Sequence, residues 1–104
     1  MEHEAYTLAR WRVKPGREEE FVAAWRDELA PYFRSLPGVV GGTLVRSVED
    51  PALFYSFGPW RSLEDVRAMR ADPRTPGVMG TLRELCEEAT PGVYQRVLTI
   101  GQPD

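Results

Sequence analysis

The stretch FYSFGPWRSLEDVRAMRADP, Phe54 to Pro73, decides how the rest of the chain is read. Its first half alternates as a strand does, with Phe54, Ser56, Gly58 and Trp60 on one parity and Tyr55 and Phe57 on the other. Pro59 helps to stop the run. Ser62 then offers the oxygen an N-cap needs, with Asp65 three residues on as a capping-box partner. A helix should follow, carrying Leu63, Val66 and Met69 on one side. A strand delivered directly into a helix makes Trp60 a junction residue, placed where a pocket can open between a sheet and its helices.

Upstream, ALFYSFGPW (52–60) is the return strand of a β-hairpin whose first strand lies in LPGVVGGTLVRSV (36–48), with Glu49-Asp50-Pro51 as the turn. Gly41-Gly42 suggest a bulge or a close backbone approach. REEEFVAAWRDELAPYFRSL (17–36) reads as a helix with Phe21, Trp25, Leu29, Tyr32 and Leu36 on one face and three glutamates in the first turn. Pro31 should kink that helix or end it early. AYTLARWRV (5–13) is a strand with Ala5, Thr7, Ala9, Trp11 and Val13 on one face and Tyr6, Leu8, Arg10 and Arg12 on the other.

Downstream, ADPRTPG (71–77) interrupts the helix after Trp60. Thr75 is the expected N-cap of the next helix, with Pro76 at its first position. That helix should carry Val78, Leu82, Leu85, Cys86 and Ala89, break at TPG (90–92), and give way to a final strand VYQRVLTI (93–100).

The order β-α-β-β-α-α-β over residues 1–104 predicts a single α+β domain. It is a ferredoxin-like split βαβ sandwich, with helices on one face of a four-stranded antiparallel sheet. The other sheet face carries Tyr6, Leu8, Leu53, Tyr55 and Phe57, too apolar for water. Two such sheets packed face to face would bury it, which predicts a homodimer.

Composition narrows the partners. Apolar content of 42% and charged content of 28% suit a globular domain. The net charge is −3, and all of the 13 basic residues except Lys14 are arginines scattered among acids. Without a basic stripe, nucleic acid is not expected. No apolar run is long enough to span a membrane, and no secretory leader is visible, so a cytoplasmic protein is expected. His3 is the one histidine and stands at the N-terminus, which leaves little with which to build a metal site or a histidine base. Cys86 reads as a small core residue.

A pocket remains. Thr7, Ala9 and Gly58 are small, and Trp60, Met69 and Met79 surround the space they leave. Thr7 and Ser56 are its few polar groups. Such a cavity suits a small, flat, hydrophobic aromatic ligand. The same residues are also compatible with an ordinary filled core.

RWRVKPGREEEFVAAW (10–25), LPGVVGGTLVRSVEDPALF (36–54), Trp60 and SLED (62–65) together resemble the antibiotic biosynthesis monooxygenase family. The resemblance implies a ferredoxin-like protomer in a dimeric α+β barrel. It also implies, for some members, cofactor-free oxygenation of aromatic substrates. Trp60 matches the family's tryptophan at the end of the third strand and is the expected catalytic residue. Members that degrade haem carry an Asn near the position of Ala9 and a His after the tryptophan. DVRAMRADPRT has no histidine, and the acid common before the tryptophan is replaced by Gly58, so haem degradation is not expected.

Three readings stay open. One is a cofactor-independent monooxygenase acting on a phenol, anthrone or quinol. Thr7, Ser56 and Met69 would bind substrate beside Trp60, Arg70 or Arg74 would balance the substrate's charge, and no cofactor or metal would be needed. Another is a non-catalytic ligand-binding or stress-related dimeric barrel. The third is a dimer whose cavity is filled by its own side chains.

Overall fold

In the computed structural model, which describes residues 5–101, strand β1 (Ala5–Val13) is a central strand of the sheet. It pairs antiparallel with β3 (Leu53–Trp60) on one side and with β4 (Cys86–Gln95) on the other. Strand β2 (Thr43–Arg46) pairs with β3 to complete the order β2-β3-β1-β4. This is the expected four-stranded antiparallel α+β sheet. His3 lies outside the described residues. Among those described, no helix is long and apolar enough to cross a membrane.

The inward faces of β1 and β3 follow the predicted parity. Ala5, Ala9, Trp11 and Val13 are buried on β1, and Phe54, Ser56, Gly58 and Trp60 on β3. Above them lie a long helical segment, α1 (Glu18–Ala24) to α2 (Ala30–Arg34), and two further helices, α3 (Leu63–Ala71) and α4 (Thr75–Glu84). Phe21, Leu29 and Leu82 are fully enclosed, and each such side chain contributes about 1.5–3 kcal/mol by leaving water.

Pro31 does not end the first helix. The chain accommodates it with a π-helical turn over Trp25–Leu29, where the Ala30 N–H bonds to the Trp25 carbonyl. Proline has no N–H for the Asp27 carbonyl, and its ring crowds that carbonyl, so a widened turn just ahead of it relieves both problems. The extra residue also shifts the helix phase. At about 3.6 residues per turn, seven residues make two turns, but here eight do. Phe33 therefore stacks on Trp25 with centroids 6.0 Å apart and planes at 15°, a place the simple periodicity would give to Tyr32.

The chain after Leu82 departs from expectation. Helix α4 ends at Glu84, and Cys86 and Ala89 belong to β4, opposite Val13 and Trp11. The residues Thr90-Pro91-Gly92, expected to break a helix, lie inside the strand. Pairing with β1 outweighs the helical spacing, and β4 is an edge strand, where a missing proline N–H removes nothing from the ladder. Residues 96–100 carry no strand pairing, and Val97, Leu98 and Ile100 stand exposed.

The two helix caps divide. Ser62 Oγ accepts from the Asp65 N–H at 3.2 Å and donates to Asp65 Oδ2 at 3.0 Å, as its sequence position suggested. Thr75 is the first residue of α4 rather than its cap, and its hydroxyl donates to the Met69 carbonyl at 2.6 Å.

Candidate functional site

Antiparallel register brings the polar groups of β1 and β3 into diagonal pairs. Ala5 stands opposite Trp60, Thr7 opposite Gly58, Ala9 opposite Ser56 and Trp11 opposite Phe54. Each tryptophan then reaches a hydroxyl two residues along the facing strand. Trp60 Nε1 donates to Thr7 Oγ1 at 3.0 Å, and Trp11 Nε1 donates to Ser56 Oγ at 2.9 Å. Buried indoles without these acceptors would each leave an N–H unpaired. Each hydroxyl accepts from an indole and keeps its own O–H to give.

Beside these pairs a cavity of 1220 Å³ opens between the sheet and the helices. Thr7, Ser56, Trp60, Met69 and Arg70 all line it, as does Met79. Arg74 does not. It is held by Asp72, with Nη2 donating to Oδ2 at 2.8 Å and Nε to Oδ1 at 3.1 Å, and it lies over the Tyr32 ring at 5.3 Å. The short Asp-Pro-Arg turn pairs those two charges locally, which keeps Arg74 out of the cavity. Its hydrogen bonds hold the Asp72 carboxyl at about 2, well below its usual value.

Gly58 has a different use from the one its size suggested. A Cβ there would strike the carbonyl oxygen of Gly41, so the missing side chain admits main chain. The pair Gly41-Gly42 is the close approach that their position in the sequence indicated.

A chain of aromatic rings links the core to the cavity wall, which Trp11, Trp25, Phe33 and Trp60 line. Phe54 meets Phe21 at 4.9 Å, Phe21 meets Trp11 at 5.7 Å, and Trp11 meets Trp25 edge-on at 6.3 Å. Beyond the Trp25–Phe33 stack, Phe33 meets Trp60 at 6.4 Å, also edge-on. At the helical end, the Tyr32 hydroxyl bonds to that of Thr75, which is spent on Met69, so Tyr32 is the donor. Trp25 Nε1 is buried and has no partner among the described residues.

The lining also holds residues not singled out from the sequence as pocket residues, among them Trp25, Phe33, Arg34 and Arg83. Trp25 is legible only as part of an apolar helix face. Phe33 is hidden by the phase shift of the π turn, and nothing in the local sequence separates Arg34 and Arg83 from other surface arginines. The charged residues of the lining are all arginines, and it includes neither a carboxylate nor an imidazole.

A family model described as antibiotic biosynthesis monooxygenase matches residues 5–74. Two crystal structures of SnoaB, a cofactor-independent oxygenase from Streptomyces nogalater, share the fold. A single-residue mutant superposes with a TM-score of 0.87 and the other form with 0.85. Both are 23% identical to this chain, and each alignment covers 97% of it and 100% of the SnoaB chain. A conserved protein from Methanosarcina mazei Go1 superposes with a TM-score of 0.80 at 16% identity, over 91% of this chain and 94% of its own. No curated protein sequence matches the chain.

Proposed function

Because this chain belongs to the antibiotic biosynthesis monooxygenase family, we propose that it is a cofactor-independent monooxygenase. Its substrate is a small aromatic of the phenol, anthrone or quinol type, bound between sheet and helices. The observation that carries the proposal is the Trp60–Thr7 pair, an indole hydrogen-bonded to a hydroxyl at the wall of a largely apolar cavity.

The chemistry asks little of acidic or basic side chains. An anthrone in its enolate form is electron-rich and passes one electron to dioxygen. The substrate radical and superoxide combine to form a C–O bond. Loss of water then leaves a quinone, so that the substrate CH2 and one O2 become C=O and one H2O. The substrate is oxidised and dioxygen is reduced, with no further reductant. Thr7 and Ser56, whose oxygens already accept from indoles, donate their own O–H to the anionic oxygen of the substrate. Trp60 and Phe33 fix the ring plane, and Met69 and Met79 help to exclude water. Arg70 balances the charge at the rim.

A second reading is favoured by one observation. The lining offers no carboxylate or imidazole to take a proton, which suits a non-catalytic ligand-binding or stress-related dimeric barrel. Oxygen uptake separates the two. Anthrones and hydroquinones are offered to wild type and Trp60→Phe, without metal or flavin. Saturable uptake that is slowed in the variant is the expected result. Uptake at the buffer rate across the panel, with the compounds nonetheless bound, overturns the catalytic reading in favour of the binding module.

We further propose that the protein is a cytoplasmic homodimer. Phe57 on the open sheet face is 38% exposed, and the apolar residues Val97, Leu98 and Ile100 have no cover within the chain. A second copy packed on that face covers both. Light scattering should give a mass near twice 11.8 kDa, and a clean monomer removes the barrel.

A further inference from the structure

Charge is distributed unevenly around the cavity. The chain is acidic overall, yet the charged lining consists of Arg26, Arg34, Arg70 and Arg83. Ion pairing sharpens the contrast. Arg10, Arg12, Arg17, Arg26, Arg61 and Arg74 each meet a carboxylate, and of these only Arg26 lines the cavity. Arg34, Arg70 and Arg83 form no ion pair among the described residues. Among the described residues, Arg46, Arg67 and Arg96 also lack a carboxylate and lie outside the cavity lining, so three of the six arginines without one border the cavity, while no carboxylate does.

Two of them follow residues that pack together. Arg34 follows Phe33, and Arg70 follows Met69, whose carbonyl takes the Thr75 hydrogen bond that Tyr32 in turn donates into. This junction ties the first helical segment to α3 and α4, and Met69 and Phe33 both pack with Trp60, so Arg34 and Arg70 each follow a residue of one cluster and both line the cavity. Their alkyl stems suit the apolar wall, and their planar heads remain at the water boundary. Such a fork recognises a carboxylate better than a single diffuse charge does.

We propose that the ligand carries a carboxylate, held at the cavity mouth by Arg34 and Arg70 while its aromatic body enters between Trp60 and Phe33. This rests on the cavity being a ligand site. It goes beyond that reading by assigning the ligand a permanent negative charge, with Arg34 rather than Arg74 as the partner of Arg70. A fixed charge at the mouth also orients the ring system, so that one edge always faces Thr7.

Two probes of equal size separate the ideas: anthraquinone-2-carboxylate and the uncharged anthraquinone-2-carboxamide. Binding to the full-length protein is followed by tryptophan fluorescence and checked by calorimetry. The carboxylate should bind at least about tenfold more tightly at low salt, an advantage that shrinks as salt is added. Arg34→Gln and Arg70→Gln should each remove most of that advantage, weakening the carboxylate more than the carboxamide. Arg67→Gln, on α3 but outside the cavity, should change neither. If the two probes bind equally well, the anionic ligand is overturned while the cavity stands as a ligand site. A preference that survives in both cavity variants overturns the assignment to Arg34 and Arg70. Binding of neither probe removes the ligand site and this proposal together.

Discussion

The Trp60 indole donates its N–H to the Thr7 hydroxyl at 3.0 Å, and this bond joins the end of β3 to the first half of β1 at the cavity wall. Trp60 is only 2% exposed, so water cannot take the place of the threonine. Thr7→Val keeps the shape and leaves the indole unpaired. It should cost about 1–3 kcal/mol in urea unfolding. Combined with Trp60→Phe, which removes the donor as well, the loss should fall short of the sum of the two single losses. Strict additivity would mean that the bond contributes nothing.

Gly58 and Gly77 provide a matched comparison. A methyl group at Gly58 meets the Gly41 carbonyl, whereas one at Gly77 on α4 meets nothing within 4 Å. Gly58→Ala should destabilise by about 1–3 kcal/mol as β3 and the Gly41-Gly42 segment are pushed apart. Gly77→Ala should be neutral or stabilising by up to about 1 kcal/mol, because alanine is the better helix former. Thermal unfolding of the two variants checks the contrast, and equal effects would contradict the close approach.

Cys86 should be chemically quiet. It is buried at the start of β4, and burial pushes its thiol up to about 11, against a small opposing pull from Lys14. Iodoacetamide at pH 8 should leave it unmodified until denaturant is added. A raised thiol pKa favours the folded state fully below the ordinary value near 9.0, and that contribution fades as pH climbs toward 11. Rapid labelling of the native protein at pH 8 would contradict the burial.

Asp72 should titrate low for the reason that removes Arg74 from the cavity. The Arg74 side chain donates to its carboxylate, with the Arg74 backbone N–H adding to it, and the carboxyl sits at about 2. A depressed carboxyl contributes its stability above the ordinary value of 3.8 and loses it as pH falls through about 2. The partner Arg74 is largely exposed, so water screens the pair and the effect on stability is small. An NMR titration of Arg74→Gln should move Asp72 back toward 3.8, though not fully, because the backbone bond remains. An unmoved value would show that the guanidinium is not its partner.

Much of the fold was legible because its signals are local. Strand parity through Ala9 and Trp11, and again through Phe54 and Ser56, needs only alternation and the steric rule that neighbouring side chains point to opposite faces. The Ser62 cap and the hairpin turn near Asp50 are set by a few adjacent atoms. The same local logic failed after Leu82. Leu85, Cys86 and Ala89 have helical spacing, yet β1 needed an antiparallel neighbour and its pairing prevailed.

The candidate site was half legible. Thr7, Ser56, Trp60, Met69 and Arg70 came together because each lies on an element whose inward face could be read. Phe33 was reached only through the π turn ahead of Pro31, a distortion of a single residue that shifts the downstream phase, and nothing in the local sequence marks Arg34.

The sequence by itself determined the alternation of the strands, the start of α3 and the place of Trp60 at a strand-to-helix junction, because these follow from the chemistry of neighbouring residues. Only the tertiary structure decided where α4 yields to β4, which indole meets which hydroxyl, and which arginines stay without a carboxylate. Those outcomes depend on groups far apart in the chain competing for one another, and no short window of sequence contains both competitors.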